Sequence, residues 1–133
     1  MKLQFIIFQL FFISYLFSGQ GSVLFEPLQH HMKRYRQYIE EKDIKINNGI
    51  IYLELNGRRT NLKSLFLLGF HSVGRTVGSH FKNTDFSFRE VKILIHYEMK
   101  NSQEMTMTAS IESVLELSQG KINSEQFFNE TRD

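Results

Sequence analysis

Residues 61–82 read NLKSLFLLGFHSVGRTVGSHFK, and this stretch decides between two kinds of fold. Its apolar side chains recur every three or four residues, as they do on one face of an amphipathic helix: Leu62, Leu65, Phe66, Phe70, Val73, Val77 and Phe81. Asn61 suits an N-cap, and Gly74 and Gly78 would let another backbone approach closely. Interior glycines cost roughly 0.5–1 kcal/mol each relative to alanine, so the helix needs tertiary packing. We predict a central packing helix over residues 62–81.

The same stretch also fits a strand that leads into a phosphate-binding loop. Its segment LFLLGFHSVGRTVG contains the pattern G-x-x-x-x-G-[KR]-[ST] after an apolar run. The segment resembles the phosphate loop of the shikimate kinase family, and the resemblance implies phosphate binding by four residues: Gly69, Gly74, Arg75 and Thr76. The family has lysine where this chain has Arg75, and a planar guanidinium does not replace a compact ammonium in a tight loop. We therefore keep phosphate binding as the alternative.

The first 21 residues have the pattern of a secretory signal. Lys2 gives a positive start, residues 5–17 are uncharged and mostly apolar, and small residues follow. This apolar run is short for a membrane span of about 20 residues. We expect residues 1–21 to be a cleaved signal peptide and residues 22–133 to be one small domain, either periplasmic or secreted. The alternative is an uncleaved anchor over residues 3–25, which would make the chain an accessory subunit of a membrane complex.

The composition excludes several classes of protein. Cysteine is absent, which excludes disulfides, thiolate zinc sites and cysteine nucleophiles. The formal charge of the whole chain is only +2, so we expect no binding to nucleic acid. Residues 22–100 nevertheless hold 13 Lys/Arg against 8 Asp/Glu, whereas residues 101–133 hold 2 against 6. Such a basic body could attract its own acidic tail or present a basic face to an acidic partner.

Patterns on either side of the central stretch predict helices and hairpins. Glu26–Lys42 has helical periodicity, with an apolar stripe that includes Tyr35. Asp43–Leu55 predicts a hairpin, because Asn48-Gly49 is the strongest two-residue turn signal. Residues 86–99 and 105–111 alternate apolar with polar side chains and predict a second hairpin. Two short helices follow, with N-caps expected at Ser110 or Ser113 and at Asn123 or Ser124, and with Gly120 after the first.

These elements together predict an α+β fold. We expect a single small two-layer domain whose antiparallel sheet is built from two hairpins. An N-terminal helix, the central glycine-containing helix and short C-terminal helices would pack on one side of this sheet.

No pattern in the sequence indicates catalysis or metal binding. His71, His80 and His96 are widely spaced and lack the companions of a metal site. The run from Val114 to Phe128, with Gly120-Lys121 inside it, resembles the late part of sterol carrier protein 2-like domains, and this resemblance implies binding of an apolar ligand.

We expect a non-enzymatic binding domain with no cofactor and no metal. Its partner would be a protein or a small apolar ligand, held by the sheet face or by a gap beneath the glycine-bearing helix. A membrane would be a partner only if the N-terminal segment stays uncleaved.

Overall fold

One layer of the structure is a four-stranded sheet, and helices form the other layer. The computed structural model describes residues 23–80 and 87–133. Its strands are β1 (Ile44–Asn47), β2 (Ile50–Asn56), β3 (Glu90–Glu98) and β4 (Ser102–Ser110). Its helices are α1 (helical over 23–33), α2 (Leu62–His80), α3 (Ile111–Ser118) and α4 (Ser124–Glu130). The predicted α+β class is therefore confirmed. The predicted signal peptide, residues 1–21, lies outside the described residues.

The first hairpin follows from the turn chemistry of two residues. Asn48 and Gly49 have φ values of 51° and 77°, the left-handed conformation that a tight two-residue hairpin turn requires. This turn sets the register of β1 against β2, in which Ile46 lies opposite Ile51. The predicted hairpin and its register are confirmed.

The pairing between the two hairpins corrects the prediction of a wholly antiparallel sheet. The strands lie in the order β1-β2-β3-β4, and β2 runs parallel to β3, with Leu53 opposite Ile93. Parallel neighbours need a long crossover connection, which is usually a helix. Here α2 is that crossover, because it carries the chain from the end of β2 back to the level at which β2 began. The sheet is therefore mixed, although each hairpin is antiparallel as predicted.

Alternation along the strands places one face of the sheet in the core. The side chains of Val91, Ile93 and Ile95 in β3 are fully buried. Helix α2 packs over this face, and its Phe70 ring meets the Phe127 ring of α4 edge to face at 5.0 Å. Burial of such side chains contributes roughly 1.5–3 kcal/mol each, so the sheet and helices are held together mainly by this core.

Helix α2 settles the structure of the central stretch. It runs without interruption over Leu62–His80, which confirms the predicted packing helix within the described residues. The strand–loop–helix interpretation is wrong for this stretch, because Gly69, Gly74, Arg75 and Thr76 all lie in the helix. Its backbone N–H groups are used in helical hydrogen bonds and form no phosphate cradle. Gly69 and Gly74 are buried packing positions in this helix.

Helix α1 ends earlier than the sequence predicts. The predicted helix reached Lys42, but the chain leaves the helix after residue 33. Arg36 adopts a left-handed φ of 60°, and the N–H of Gln37 donates to the carbonyl of Met32 at 3.2 Å. This is a Schellman-type helix end in which Arg36 occupies the position that glycine prefers. As a result, Tyr35 is removed from the apolar stripe and is exposed.

The short C-terminal helices have the predicted caps. The Ser110 side chain accepts from the N–H of Ser113 at the start of α3, and Gly120 ends that helix with a φ of 74°. Asn123 and Gln126 form a reciprocal capping box at α4. Within residues 23–80 and 87–133, no helix has both the length and the apolarity needed to cross a bilayer.

Candidate functional site

The outer side of the helical layer carries an apolar groove of about 510 Å³. We call it the helical groove, and these residues define it: Tyr35, Ser64, Leu67, Leu68, His71, Leu117 and Ser124. The residues come from four parts of the chain: the turn after α1, helix α2, the end of α3 and the start of α4. The groove therefore exists only in the folded domain.

Helix α2 supplies the floor of the helical groove. Its core side, which includes Phe66 and Phe70, is buried. Leu67 and Leu68 are only half-buried because they lie around the helix from those phenylalanines. Since leucine side chains are usually buried in a protein of this kind, two adjacent half-buried leucines mark an apolar surface that folding has not fully covered.

Tyr35 forms one edge of the helical groove because of the early end of α1. Its side chain is 61% exposed, and that of Tyr38, three residues later, is 68% exposed. Only Tyr35 lines the helical groove. The two tyrosines are thus a matched pair of equally accessible aromatic residues, one inside the groove and one outside it.

His71 is the titratable side chain on the floor of the helical groove. Burial lowers the pKa of its imidazole below the ordinary value of 6.5, and the positive charge of Arg75 lowers it further. The ring is therefore mainly neutral at pH 7 and offers the groove one hydrogen-bond donor and one acceptor without a charge. Two hydroxyl groups, those of Ser64 and Ser124, complete the lining.

Several basic side chains lie close together where α1 passes α2. Burial lowers the pKa of His31, and the charges of Arg75, His30, Arg34 and His80 lower it further. Of these neighbours, Arg75 and Arg34 carry a permanent positive charge. This side of the helical layer is therefore basic, in agreement with the excess of Lys and Arg in the first part of the chain.

A larger concavity of about 790 Å³ lies at one end of the sheet, and we call it the polar cleft. It is lined by residues 56–58, 96–98 and 102–104. At its edge, His96 lies between two carboxylates, with Nε2 3.3 Å from Glu54 and Nδ1 3.4 Å from Glu104. A protonated imidazole can donate to both, whereas the neutral ring can donate to only one.

The polar cleft differs chemically from the helical groove. The histidine at its edge already lies beside two carboxylates of the same chain. Among the described residues, no group of three or more His, Asp or Glu side chains is arranged to hold a metal ion. The cleft is thus a polar surface rather than an apolar one.

The open face of the sheet was the other predicted binding surface. Tyr52 on this face is half-buried and lies between Lys45 and Lys92 on the neighbouring strands, and both lysines are exposed. Charged side chains thus interrupt its apolar area. The helical groove has a more continuous apolar lining than this face.

The residues singled out in the sequence do not converge on one site. His71 lines the helical groove, His96 borders the polar cleft, and His80 lies near His31 on the basic side. Of the residues in the phosphate-loop pattern, Gly69, Gly74 and Thr76 are buried.

The helical groove was not predicted from the sequence, because Tyr35 was expected in the buried apolar stripe of a longer helix. The only signal for the true helix end lies in the run of polar residues that follows Lys33. Comparison of the chain with protein-family models, with curated proteins and with solved structures gives no match.

Proposed function

We propose that this chain is an exported, non-enzymatic binding domain that holds an apolar group in the helical groove. One observation carries the proposal: Leu67 and Leu68 remain half-buried beside the exposed ring of Tyr35, in one groove built from four parts of the fold. Burying this apolar area under a ligand would be favourable by roughly 25 cal/mol per Å² before the costs of association.

The size and the lining of the helical groove support a binding role. Its volume of about 510 Å³ lies inside the range of about 300–1,000 Å³ that is usual for ligand sites. Such sites are mostly apolar and carry a few polar groups that orient the ligand. Two serine hydroxyls and the neutral ring of His71 fit that description.

The export part of the proposal rests on the first 21 residues. Their positive start, short apolar run and small residues are typical of a cleaved signal. The non-enzymatic part rests on the chemistry of the helical groove, where the charge that acts on His71 is that of Arg75. A general base is usually oriented by a third group, and no carboxylate of residues 23–80 or 87–133 supports His71 in this way.

The experiment that tests the proposal uses Nile red, an uncharged dye whose fluorescence increases in apolar surroundings. We expect the full chain to enhance the dye's fluorescence, and Tyr35→Ser to reduce its affinity about three- to tenfold through the loss of one aromatic wall. Tyr38→Ser is the matched control and should leave the affinity unchanged. Failure of the chain to bind the dye, or an equal loss in both variants, would reject the helical groove as the binding site.

A further inference from the structure

We infer that the helical groove binds an amphipathic helix of a partner protein, whose acidic residues lie along the wall formed by α2 and the turn after α1. This inference rests on the proposed function and specifies the partner. The helix would place apolar anchors against Leu67, Leu68 and Tyr35, and carboxylates beside exposed arginines.

The wall formed by α2 and the turn after α1 carries the first part of the evidence. Arg34, Arg36 and Arg75 are exposed, and none of them forms an ion pair with another residue of the described ranges. Arg34 and Arg36 flank Tyr35 in sequence, and Arg75 lies one helical turn beyond His71. The positive charge of Arg75 acts on His71 in the groove lining.

The opposite wall carries the second part of the evidence, because it includes negative charges. Glu116 precedes Leu117 in α3, and the exposed Glu125 follows Ser124 in α4. The α2 cation on this side is Lys63, whose Nζ lies over the Phe128 ring at 5.3 Å from its centre. Lys121, in the turn between α3 and α4, is also exposed. The helical groove is thus basic along one wall and mixed in charge along the other.

This polarity favours a protein over an anionic membrane as the partner. A membrane surface with acidic lipids presents negative charge uniformly, so it would meet Glu116 and Glu125 as well as the arginines. A helix presents different side chains along its two edges and can match both walls at once. Charge complementarity of this kind fixes the orientation of a partner and accelerates its association.

The shape of the helical groove also fits a helix. It lies on the surface between helical elements, and Tyr35 at its edge remains 61% exposed, so it is an open trough. Small-molecule sites usually enclose most of their ligand. Open apolar troughs between helices take the i, i+3, i+4 and i+7 side chains of a docked helix. Tyrosine and arginine are also the residues most enriched at the centres of protein interfaces.

The test uses three peptides of about 14 residues, which is about four helical turns. All three share leucines at i, i+3, i+4 and i+7, and they differ only along one edge, which carries glutamate, glutamine or lysine. Each peptide is labelled with fluorescein and titrated with the full chain by fluorescence anisotropy. We expect the glutamate peptide to bind most tightly and the lysine peptide most weakly, with about a tenfold difference at low salt. High salt should narrow this difference, because the charges lie at the surface.

Charge-reversal variants test whether the arginines beside the helical groove cause the preference for the glutamate peptide. The double variant Arg34→Glu, Arg75→Glu should reverse the order of the glutamate and lysine peptides. The control Lys92→Glu changes an exposed cation on the open face of the sheet and should keep the original order.

The remaining outcomes separate this inference from the proposed function. Equal affinities for the three peptides, lost together in Tyr35→Ser, would overturn the charge preference and leave the helical groove as a binding site. Binding of Nile red without binding of any peptide would overturn the helical partner in favour of a small apolar ligand. Binding of phosphatidylserine vesicles without binding of the peptides would overturn it in favour of a membrane.

Discussion

A Cβ atom on Gly74 of α2 would lie 2.6 Å from the carbonyl oxygen of Val114 in α3. The same atom would lie 2.7 Å from the Cβ of Ser118, so there is no room for it unless the two helices move apart. Gly74 therefore sets the distance between α2 and α3. That distance matters for the helical groove, because α2 supplies Leu67 and Leu68 and α3 supplies Leu117.

We predict opposite effects for alanine at two glycines of α2. Gly74→Ala should lower the free energy of unfolding by about 2 kcal/mol, because the new methyl group meets backbone that cannot yield easily. Gly78→Ala should raise it by up to about 1 kcal/mol, because alanine is the better helix former. The nearest atom to a Cβ on Gly78 is the Leu115 Cδ2 at 3.7 Å, which is an ordinary contact.

Urea unfolding followed by circular dichroism measures both effects. Gly78→Ala serves as the control for a general effect of alanine in α2. Equal stabilisation by both substitutions would show that α2 and α3 are not in close contact at Gly74.

A second prediction concerns the end of α1. Arg36→Gly should stabilise the domain by about 1 kcal/mol, because a side chain at a left-handed φ is strained and glycine is not. Arg34, two residues earlier, does not have a positive φ. Arg34→Gly should therefore lower the free energy of unfolding by about 0.5–1 kcal/mol. Thermal unfolding compares the two variants, and a lower melting temperature for Arg36→Gly would contradict the Schellman-type end.

Local rules predicted those parts of the fold that depend on neighbouring residues. Asn48-Gly49 determines its own turn, and the alternation after it determines which side chains face the core. Ser110 and Asn123 cap helices through bonds that span only three residues. Such local contacts can be predicted from the sequence pattern alone.

The features that the sequence did not predict depend on distant contacts or on a residue type that is unusual at its position. The parallel pairing of Leu53 with Ile93 joins two hairpins across the whole of α2. At the end of α1, Arg36 occupies the position where glycine usually signals a helix end. Without that signal the helix was predicted to continue, and its periodicity placed Tyr35 on the buried face. The helical groove depends on that end and was missed for the same reason.

A third prediction follows from the lowered pKa values of His31 and His71. As the pH falls through about 6.5, these two histidines bind protons more readily in the unfolded chain than in the folded chain. The free energy of unfolding therefore decreases on acidification. The contribution of these two histidines to stability is fully present above this pH and decreases as the pH falls towards their lower folded-state pKa values. The midpoint of urea unfolding should therefore be lower at about pH 5.5 than at about pH 7.5.

Replacement of His71 tests the origin of this pH dependence. His71→Gln removes one of the two histidines that resist protonation, so the difference between the two midpoints should become smaller. A difference as large as in the unsubstituted chain would show that His71 does not contribute.

Methyl-group NMR of the leucines tests the central claim most directly. The glutamate-edged peptide is added to the full chain, and the leucine methyl signals are followed in one spectrum. We predict shift changes at Leu67, Leu68 and Leu117, which line the helical groove, and none at Leu94, which is half-buried on the open face of the sheet. Changes at Leu94 without changes at the groove leucines would contradict the account and would move the binding site to the sheet.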